Sequence, residues 1–312
     1  EREFERYGLA ISRANMANWM IRLSEEYLSV FYDHLHRKIY DFDVIGADET
    51  PVEVNKDGRP AGSKSYIWVY RSGGISSTHH IVLYEYQKTR NASHPVRFLK
   101  DYEGICVTDG YQVYHSAEKT LEHVTIAGCW VHARRYFDEA LKIIPQAVRS
   151  KSWGYLVMKQ IQAIYWEEGK LKHLKTEERL KQRQLVIKPL VDALFAYAKQ
   201  HQVPVGTQGK LARAVTYLLN QEKYLRVFLE NGEVPMDNNA SERAIRGAEN
   251  SAIIYSIAET AKANDLKPYE YFEHLLTKIP KHMEDTDRSF LDDLLPWSEK
   301  LPKEIKKTNK RS

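Results

Sequence analysis

Two aspartates follow short β-branched runs of the kind that form buried strands. Asp48 follows Val44-Ile-Gly-Ala, and Asp109 follows Ile105-Cys-Val-Thr. A carboxylate is costly to bury unless a partner compensates it. If the two strands are neighbours, the carboxylates lie side by side and need a cation between them, for which Mg²⁺ or Mn²⁺ is suited. The alternative interpretation is that both aspartates simply open turns.

A third acid stands in the segment Met236-Asp-Asn-Asn-Ala-Ser-Glu-Arg-Ala-Ile-Arg, where Glu242 begins a predicted helix. Glu242 could join the other two acids in a metal site. Local physics offers an alternative, because Asn239 and Glu242 have capping-box spacing and Glu242 and Arg246 have the spacing of a helical ion pair.

Basic side chains accompany these acids and could bind phosphate, which arginine can do with two parallel hydrogen bonds. Ion pairing on a helix surface is the alternative for those that flank Glu242. The candidates for phosphate contact are Arg243, Arg246, Arg134 and Arg135, with Lys64 and Arg71 at the two ends of the second strand as further candidates.

Cys129 and His132 stand three residues apart at a predicted helix start, so both could face one metal ion. A structural zinc site needs four ligands, and the sequence has no second cysteine pair to supply the rest. The ligand count therefore disfavours zinc, and the residues themselves define no other role for the pair.

The elements that must position these residues form an α+β arrangement. The sequence predicts three antiparallel strands over residues 42–47, 65–71 and 81–86, then strands over 104–108 and 124–128 separated by short helices, the first at 93–101. Such an order implies a mixed five-stranded sheet with helices packed on it.

The strand signal then stops for about a hundred residues, and long amphipathic patterns predict an all-helical insertion. Over residues 142–230 there are 16 Lys and Arg against 7 Asp and Glu, a balance of +9, and 30 against 35 elsewhere, a balance of −5. Such a block is either a solvated helical face or a footprint for nucleic acid. The predicted insertion contains helices at 131–144, 153–168, 171–200 and 209–230, ahead of further helices at 239 onward, 251–264 and 268–278.

The first forty residues also show helical spacing, with Ser12 as a candidate N-cap. They resemble either a helix-turn-helix or an ordinary capped helix. We predict five pieces: a pre-catalytic helical segment (1–40), the first part of a sheet domain (41–144), the basic insertion (145–232), the last part of the sheet domain (233–265), and a C-terminal helical piece and tail (266–312).

Composition sets the broad class. The chain has 312 residues, of which 43% are hydrophobic, a net charge of +4 and only two cysteines. These values exclude collagen-like, low-complexity and disulfide-built proteins, favour a reducing compartment, and leave no apolar run of the roughly 20 residues that a membrane span needs. The start has neither Met nor a signal-peptide pattern, so we expect the sequence to begin inside a longer protein.

Five motifs in order resemble the insertion-sequence-66 class of DDE transposases, with a Leu294-Leu-Pro-Trp segment typical of its C-terminal piece. The motifs begin at Asp48 (Asp-Glu-Thr-Pro-Val-Glu-Val), Ser65 (Ser-Tyr-Ile-Trp-Val-Tyr-Arg-Ser-Gly), Thr108 (Thr-Asp-Gly-Tyr), Cys129 (Cys-Trp-Val-His-Ala-Arg-Arg) and Asp237 (Asp-Asn-Asn-Ala-Ser-Glu-Arg-Ala-Ile-Arg). The resemblance implies an RNase H-like core interrupted by a helical insertion.

By the same resemblance, Asp48, Asp109 and Glu242 take the place of the catalytic metal-binding triad, with Mg²⁺ as the cofactor and Mn²⁺ as a substitute. It implies cleavage and strand transfer at transposon ends by a two-metal mechanism. The implied partners are double-stranded DNA of the transposon ends and the target, further copies of the chain on that DNA, and accessory proteins of the same element, all at the nucleoid in the bacterial cytoplasm. The resemblance also implies that Cys129 and His132 lie near the active site, with an unknown role.

Two departures from the family pattern predict impaired activity. The sequence begins within the pre-catalytic region, so the upstream DNA-binding portion and its zinc element are not in it. A Gly-Arg-Lys-Asn-Trp segment that the family usually carries after the third acid is also not in it. The alternatives are another RNase H-like nuclease, a former transposase that only binds DNA, and a helical interaction scaffold.

Overall fold

Helices form the start of the chain in the computed structural model, which describes residues 2–54, 59–60, 62–201, 209–245 and 252–307. The Ser12 side chain accepts the backbone N–H of Asn15 at 3.1 Å, so the predicted N-cap is confirmed. A single π-helical turn, Ser24–Leu28, joins the second helix to the third. These helices are α1 (Arg2–Arg6), α2 (Arg13–Leu23) and α3 (Ser29–Lys38).

A mixed five-stranded sheet follows, in the order β3-β2-β1-β4-β5. The first three strands are antiparallel to one another, whereas β4 runs parallel to both β1 and β5. The predicted α+β class is therefore confirmed, and the sheet is consistent with an RNase H-like fold. The elements are β1 (Val44–Glu53), β2 (Lys64–Ser72), β3 (Val82–Gln87), α4 (Ser93–Phe98), β4 (Gly104–Thr108), α5 (Gln112–Glu118) and β5 (Val124–Gly128).

The first strand is longer than predicted. It continues to Glu53 because β2 pairs with it along this whole length, and Asp48 lies opposite Val69. The parallel pairing with β4 ends earlier, at Gly46 and Val107. Asp48 therefore does not close a strand, and the interpretation of Asp48 as a turn opener is wrong. It lies just beyond the last parallel pair.

The predicted insertion consists of helices joined by turns, with no strand among its described residues. The one helix predicted over 171–200 is wrong, because a turn follows Lys170 and a π-helical turn, Arg183–Ile187, separates two shorter helices. The buried Arg183 side chain in that turn donates to the carbonyl oxygens of Phe228, Asn231 and Val234. The helices are α6 (Trp130–Lys142), α7 (Gln146–Arg149), α8 (Trp153–Lys170), α9 (Thr176–Gln182), α10 (Lys188–Gln200), α11 (Lys210–Asn220) and α12 (Glu222–Leu225).

Three helices follow the insertion and agree closely with their predicted positions. No helix in the described ranges is long and apolar enough to span a membrane. The three helices after the insertion are α13 (Asn239–Ile245), α14 (Ala252–Ala263) and α15 (Pro268–Lys278).

The sheet separates two hydrophobic cores. Successive residues of a strand point to opposite faces. Ile45 and Ala47 accordingly belong to a core shared with α3, α15 and the C-terminal segment, while Val44 belongs to a core shared with the insertion helices. By this alternation Asp48 lies on the insertion side of β1 and Glu49 on the opposite side.

Candidate active site

Asp48 is a buried carboxylate surrounded by other acids. Burial is the main cause that raises its pKa to about 7, and the negative charges of Glu49, Asp109 and Glu242 raise it further. One contact lowers the pKa of Asp48 instead, because the backbone N–H of Glu49 donates to its Oδ1 at 2.9 Å. Among the described residues, neither Asp48 nor Asp109 forms an ion pair.

Asp109 directly follows β4, and its Oδ1 accepts the backbone N–H of Tyr111 at 3.0 Å. This contact is the turn-opening role that the sequence offered as an alternative, and it coexists with the position beside Asp48. Gly110 has a φ of 33°, and a Cβ there would lie 2.5 Å from the hydroxyl of Tyr217 on α11. The insertion therefore packs against the loop that carries the second acid.

Asn238 links the third acid to the first. Its Nδ2 donates to the carbonyl oxygen of Ala47 at 2.7 Å, one residue before Asp48, and its own carbonyl accepts the backbone N–H of Glu242 at 3.1 Å. Its backbone N–H donates to Sγ of Cys129 at 3.3 Å. Because α13 begins at Asn239, the capping position is Asn238, and the predicted capping box starting at Asn239 has the wrong register.

Glu242 lies near two basic side chains without a hydrogen bond to either. Its Oε1 is 3.9 Å from Nδ1 of His132, and its Oε2 is 3.9 Å from Nη2 of Arg135. Both Oε1 of Glu242 and Nδ1 of His132 are buried and have no hydrogen-bond partner among the described residues. Buried polar atoms are nearly always satisfied. The gap between these two atoms thus fits a ligand atom, a water or an ion.

Cys129, His132 and Glu242 form a compact group whose possible ligand atoms all lie within 4.8 Å of one another. It is the one group of three potential ligands this close within the described ranges, so the three acids are more widely spaced. Burial raises the pKa of Cys129 to about 12, which favours a neutral thiol over a metal-binding thiolate. With three members and a protonated cysteine, the group does not match a structural zinc site.

Glu49 and Arg90 form a buried pair that the sequence analysis missed. The Glu49 side chain is 1% exposed, accepts Nε of Arg90 at 2.8 Å, and accepts the Tyr114 hydroxyl at 2.6 Å. The Arg90 guanidinium lies 3.6 Å from the ring centroid of Tyr111, in the loop after Asp109. Strand alternation was the available signal, since an acid next to Asp48 must point into the opposite core and therefore needs a cation.

The predicted DNA-contact residues divide by location. Arg134 and Arg135 are exposed on α6, and Arg135 lies 3.9 Å from Glu242. Arg71 pairs with Gly46 and therefore shares the sheet face of Asp48, whereas Lys64 pairs with Glu53, about 17 Å along the strand from Asp48. Arg246 and the side chain of Arg243 lie outside the described residues, as does the position of the expected segment after Arg246.

Comparison with known proteins gives two family matches. The model described as "Transposase IS66 family" matches residues 1–264, and the "IS66 C-terminal element" matches residues 256–297. Two similar proteins of Sinorhizobium fredii (strain NGR234) are described as uncharacterized proteins. The chain is 26% identical to y4qI over 94% of its own length and 57% of that protein, and 25% identical to y4jD over 95% and 61%. It thus spans about three-fifths of the length of these relatives.

Proposed function

Because the chain belongs to the IS66 family of transposases, we propose that it is the catalytic core of a transposase and that Asp48, Asp109 and Glu242 hold its divalent cations. The crowding at Asp48 is the observation that carries the proposal. A buried carboxylate with three acids nearby and no ion pair is unfavourable unless a cation balances the charge. Hard oxygen ligands suit Mg²⁺, with Mn²⁺ as a substitute.

The positions of the three acids in the fold also suit a shared metal site. Asp48 and Asp109 belong to neighbouring strands, and Asn238 fixes the helix of Glu242 against the first of them. The wide spacing of the three acids suits a site for two ions better than a site for one. When bound, such ions supply activation of a water or a 3′-hydroxyl and stabilisation of the leaving oxygen.

Protein side chains near Glu242 would act on the DNA itself. The Arg135 side chain is half exposed, so it can reach a phosphate and balance its charge. Burial lowers the pKa of His132, so the imidazole is neutral at pH 7 and can accept or donate a proton near the reacting oxygens. The proposed partners are duplex DNA of the transposon ends and target, with further copies of the chain bound on it.

Conservative substitutions of the acids test this proposal. We expect Asp48→Asn, Asp109→Asn and Glu242→Gln to reduce Mg²⁺-dependent cleavage of end-labelled duplex DNA to background, with DNA affinity within about threefold of the parent chain because only one charge changes near the phosphates. The control is Glu53→Gln, which alters an exposed acid at the end of the same strand. Divalent-dependent cleavage retained by Asp48→Asn would overturn the proposal.

Two further measurements separate the alternatives. A transposase core joins a 3′-hydroxyl end to a second duplex, whereas a nuclease only hydrolyses, so the product of a strand-transfer assay discriminates between them. A protein that only binds DNA would bind no Mn²⁺ in a calorimetric titration and would give no divalent-dependent nicking.

A further inference from the structure

A basic groove of about 510 Å³ lies between α6 and α8. Its apolar lining includes the buried side chains of Leu141 and Met158. Its charged lining consists of four cations and a single acid: Arg134, Arg135, Lys142, Arg149 and Asp138. The groove therefore combines an apolar floor with a net positive rim.

The groove begins at the proposed active site. Arg135 lines it and also lies 3.9 Å from Glu242. Lys142 is seven residues further along α6, which is two turns and about 10 Å on the same helix face. The groove therefore extends about two helical turns away from Glu242.

Several cations of the basic insertion are buried or paired with acids, whereas two arginines of the groove have no acidic partner among the described residues. Arg179 and Arg183 are buried and donate to backbone carbonyl oxygens, and Lys188, Lys199 and Lys223 are paired with acids. In the groove, Lys142 pairs with Asp138 at 2.7 Å and Arg135 lies 3.9 Å from Glu242, whereas no acid pairs with Arg134 or Arg149 among the described residues. The +9 balance of residues 142–230 therefore overstates the free charge of that segment.

Two of the arginines are also held in place. Arg149 donates twice to the carbonyl oxygen of Ile144, using Nε and Nη2. The Arg134 guanidinium lies 5.5 Å from the ring centroid of Tyr165. Because a guanidinium has five N–H donors, these contacts orient both groups without exhausting them.

We propose that the groove between α6 and α8 binds the sugar–phosphate backbone of the DNA strand that enters or leaves the site at Glu242. The inference rests on the proposed function, since it takes DNA to be the substrate. Phosphates lie along the four cations, and the apolar floor packs against the sugars. This track crosses from the sheet domain onto the insertion, which gives the insertion a role in holding the substrate.

The test is the salt dependence of duplex binding by the 312-residue chain in EDTA. Each phosphate contact contributes about 0.9 to the slope of log affinity against log salt. We expect Arg134→Ala with Arg149→Ala to reduce that slope by about 1.8, and the charge-preserving pair Arg134→Lys with Arg149→Lys to restore it. The matched control is Lys181→Ala with Lys188→Ala, which removes two positive charges of the insertion outside the groove.

A parent-like slope in the groove variant, or an equal reduction in the control, would overturn the inference, as would salt-independent binding by the parent chain. Failure of the proposed function gives a different result. If Asp48→Asn cleaves normally while the groove variant loses its slope, the metal assignment falls and the groove stands. If Asp48→Asn is inactive and the slope is unchanged, the groove assignment alone falls.

Discussion

Asp48 carries an electrostatic cost that the fold imposes at a single residue. The carboxylate is buried on the insertion side of β1, and Glu49, Asp109 and Glu242 all oppose its ionisation. Glu49 has its own cation in Arg90, but Asp48 has none among the described residues. Under the proposed function, this lost stability is the consequence of keeping cation ligands in place, and perturbed carboxylates of this kind are common at functional sites.

This cost predicts a pH dependence of stability. The folded pKa of Asp48, about 7, is above the unfolded value near 3.9, so the folded chain binds more protons in this interval and stability falls as pH rises from about 4 to 7. Asp48→Asn removes the effect. The compared quantity is the unfolding free energy of Asp48→Asn minus that of the parent chain, measured in EDTA. We expect this difference to be larger at pH 8 than at pH 4, by up to about 4 kcal/mol.

Urea unfolding at both pH values measures this difference. Subtracting the variant from the parent cancels the contributions of carboxyls elsewhere, such as Glu233, whose lowered pKa acts in the opposite direction. Glu53→Gln serves as the control and is expected to show no such difference. A parent and an Asp48→Asn variant with the same pH profile would contradict the prediction.

At the scale of elements, the close approach of α13 to β1 sets the relation between the first and third acids. Gly46 leaves no room for a side chain, because a Cβ there would lie 2.4 Å from Oγ of the buried Ser241 and 2.7 Å from Oδ1 of Asn238. This close contact at Gly46, two residues before Asp48 on β1, holds the helix of Glu242 against the strand. The hydrogen bond from Asn238 to Ala47 holds it there as well.

Gly46→Ala should therefore displace α13. We expect a loss of about 1–3 kcal/mol in unfolding free energy from overpacking, and a cleavage rate reduced on the order of 10²-fold, because small misplacements of a catalytic group are costly. Urea unfolding and single-turnover cleavage measure the two effects. In Gly169→Ala, where an added Cβ meets nothing within 4 Å, we expect unchanged cleavage and equal or slightly higher stability. Equal behaviour of the two variants would count against this account.

At the scale of the whole molecule, the C-terminal segment is part of the first core rather than an appendage. Tyr271, Leu275 and Leu294 are buried in the same cluster as Phe31 and Leu35 from α3. The backbone is tied there too, because Leu266 forms a β-bridge with Lys306. The predicted piece 266–312 thus completes the core that supports the other side of the sheet.

A chain that ends at residue 266 should consequently fail to fold cooperatively. Each buried side chain of this type contributes about 1.5–3 kcal/mol, so losing several approaches the total stability of an ordinary domain, about 5–15 kcal/mol. Thermal unfolding followed by near-ultraviolet circular dichroism tests this. A chain that ends at residue 307 is the control and should unfold like the full chain. A sharp transition in the shorter chain would show that the C-terminal segment is dispensable.

Local pattern determined much of this protein. The strand and helix periods placed four of the five strands and most helices within a few residues, and Ser12 identified a helix start, because these signals depend on neighbours in sequence. The site was partly predictable for the same reason. Asp48, Asp109 and Glu242 stood out by type and position, and the resemblance to the family gave them one common role.

Only the tertiary structure decided what depends on contacts between distant residues. Pairing with β2 extended β1 past Asp48, burial placed Glu49 opposite Arg90, and packing at Gly46 let Asn238 join β1 to the helix of Glu242. The charge of the insertion behaved likewise, since the sequence gives its sum and only packing separates buried or paired cations from those in the groove. Sequence patterns encode which face of an element is apolar, but not which distant residue that face meets.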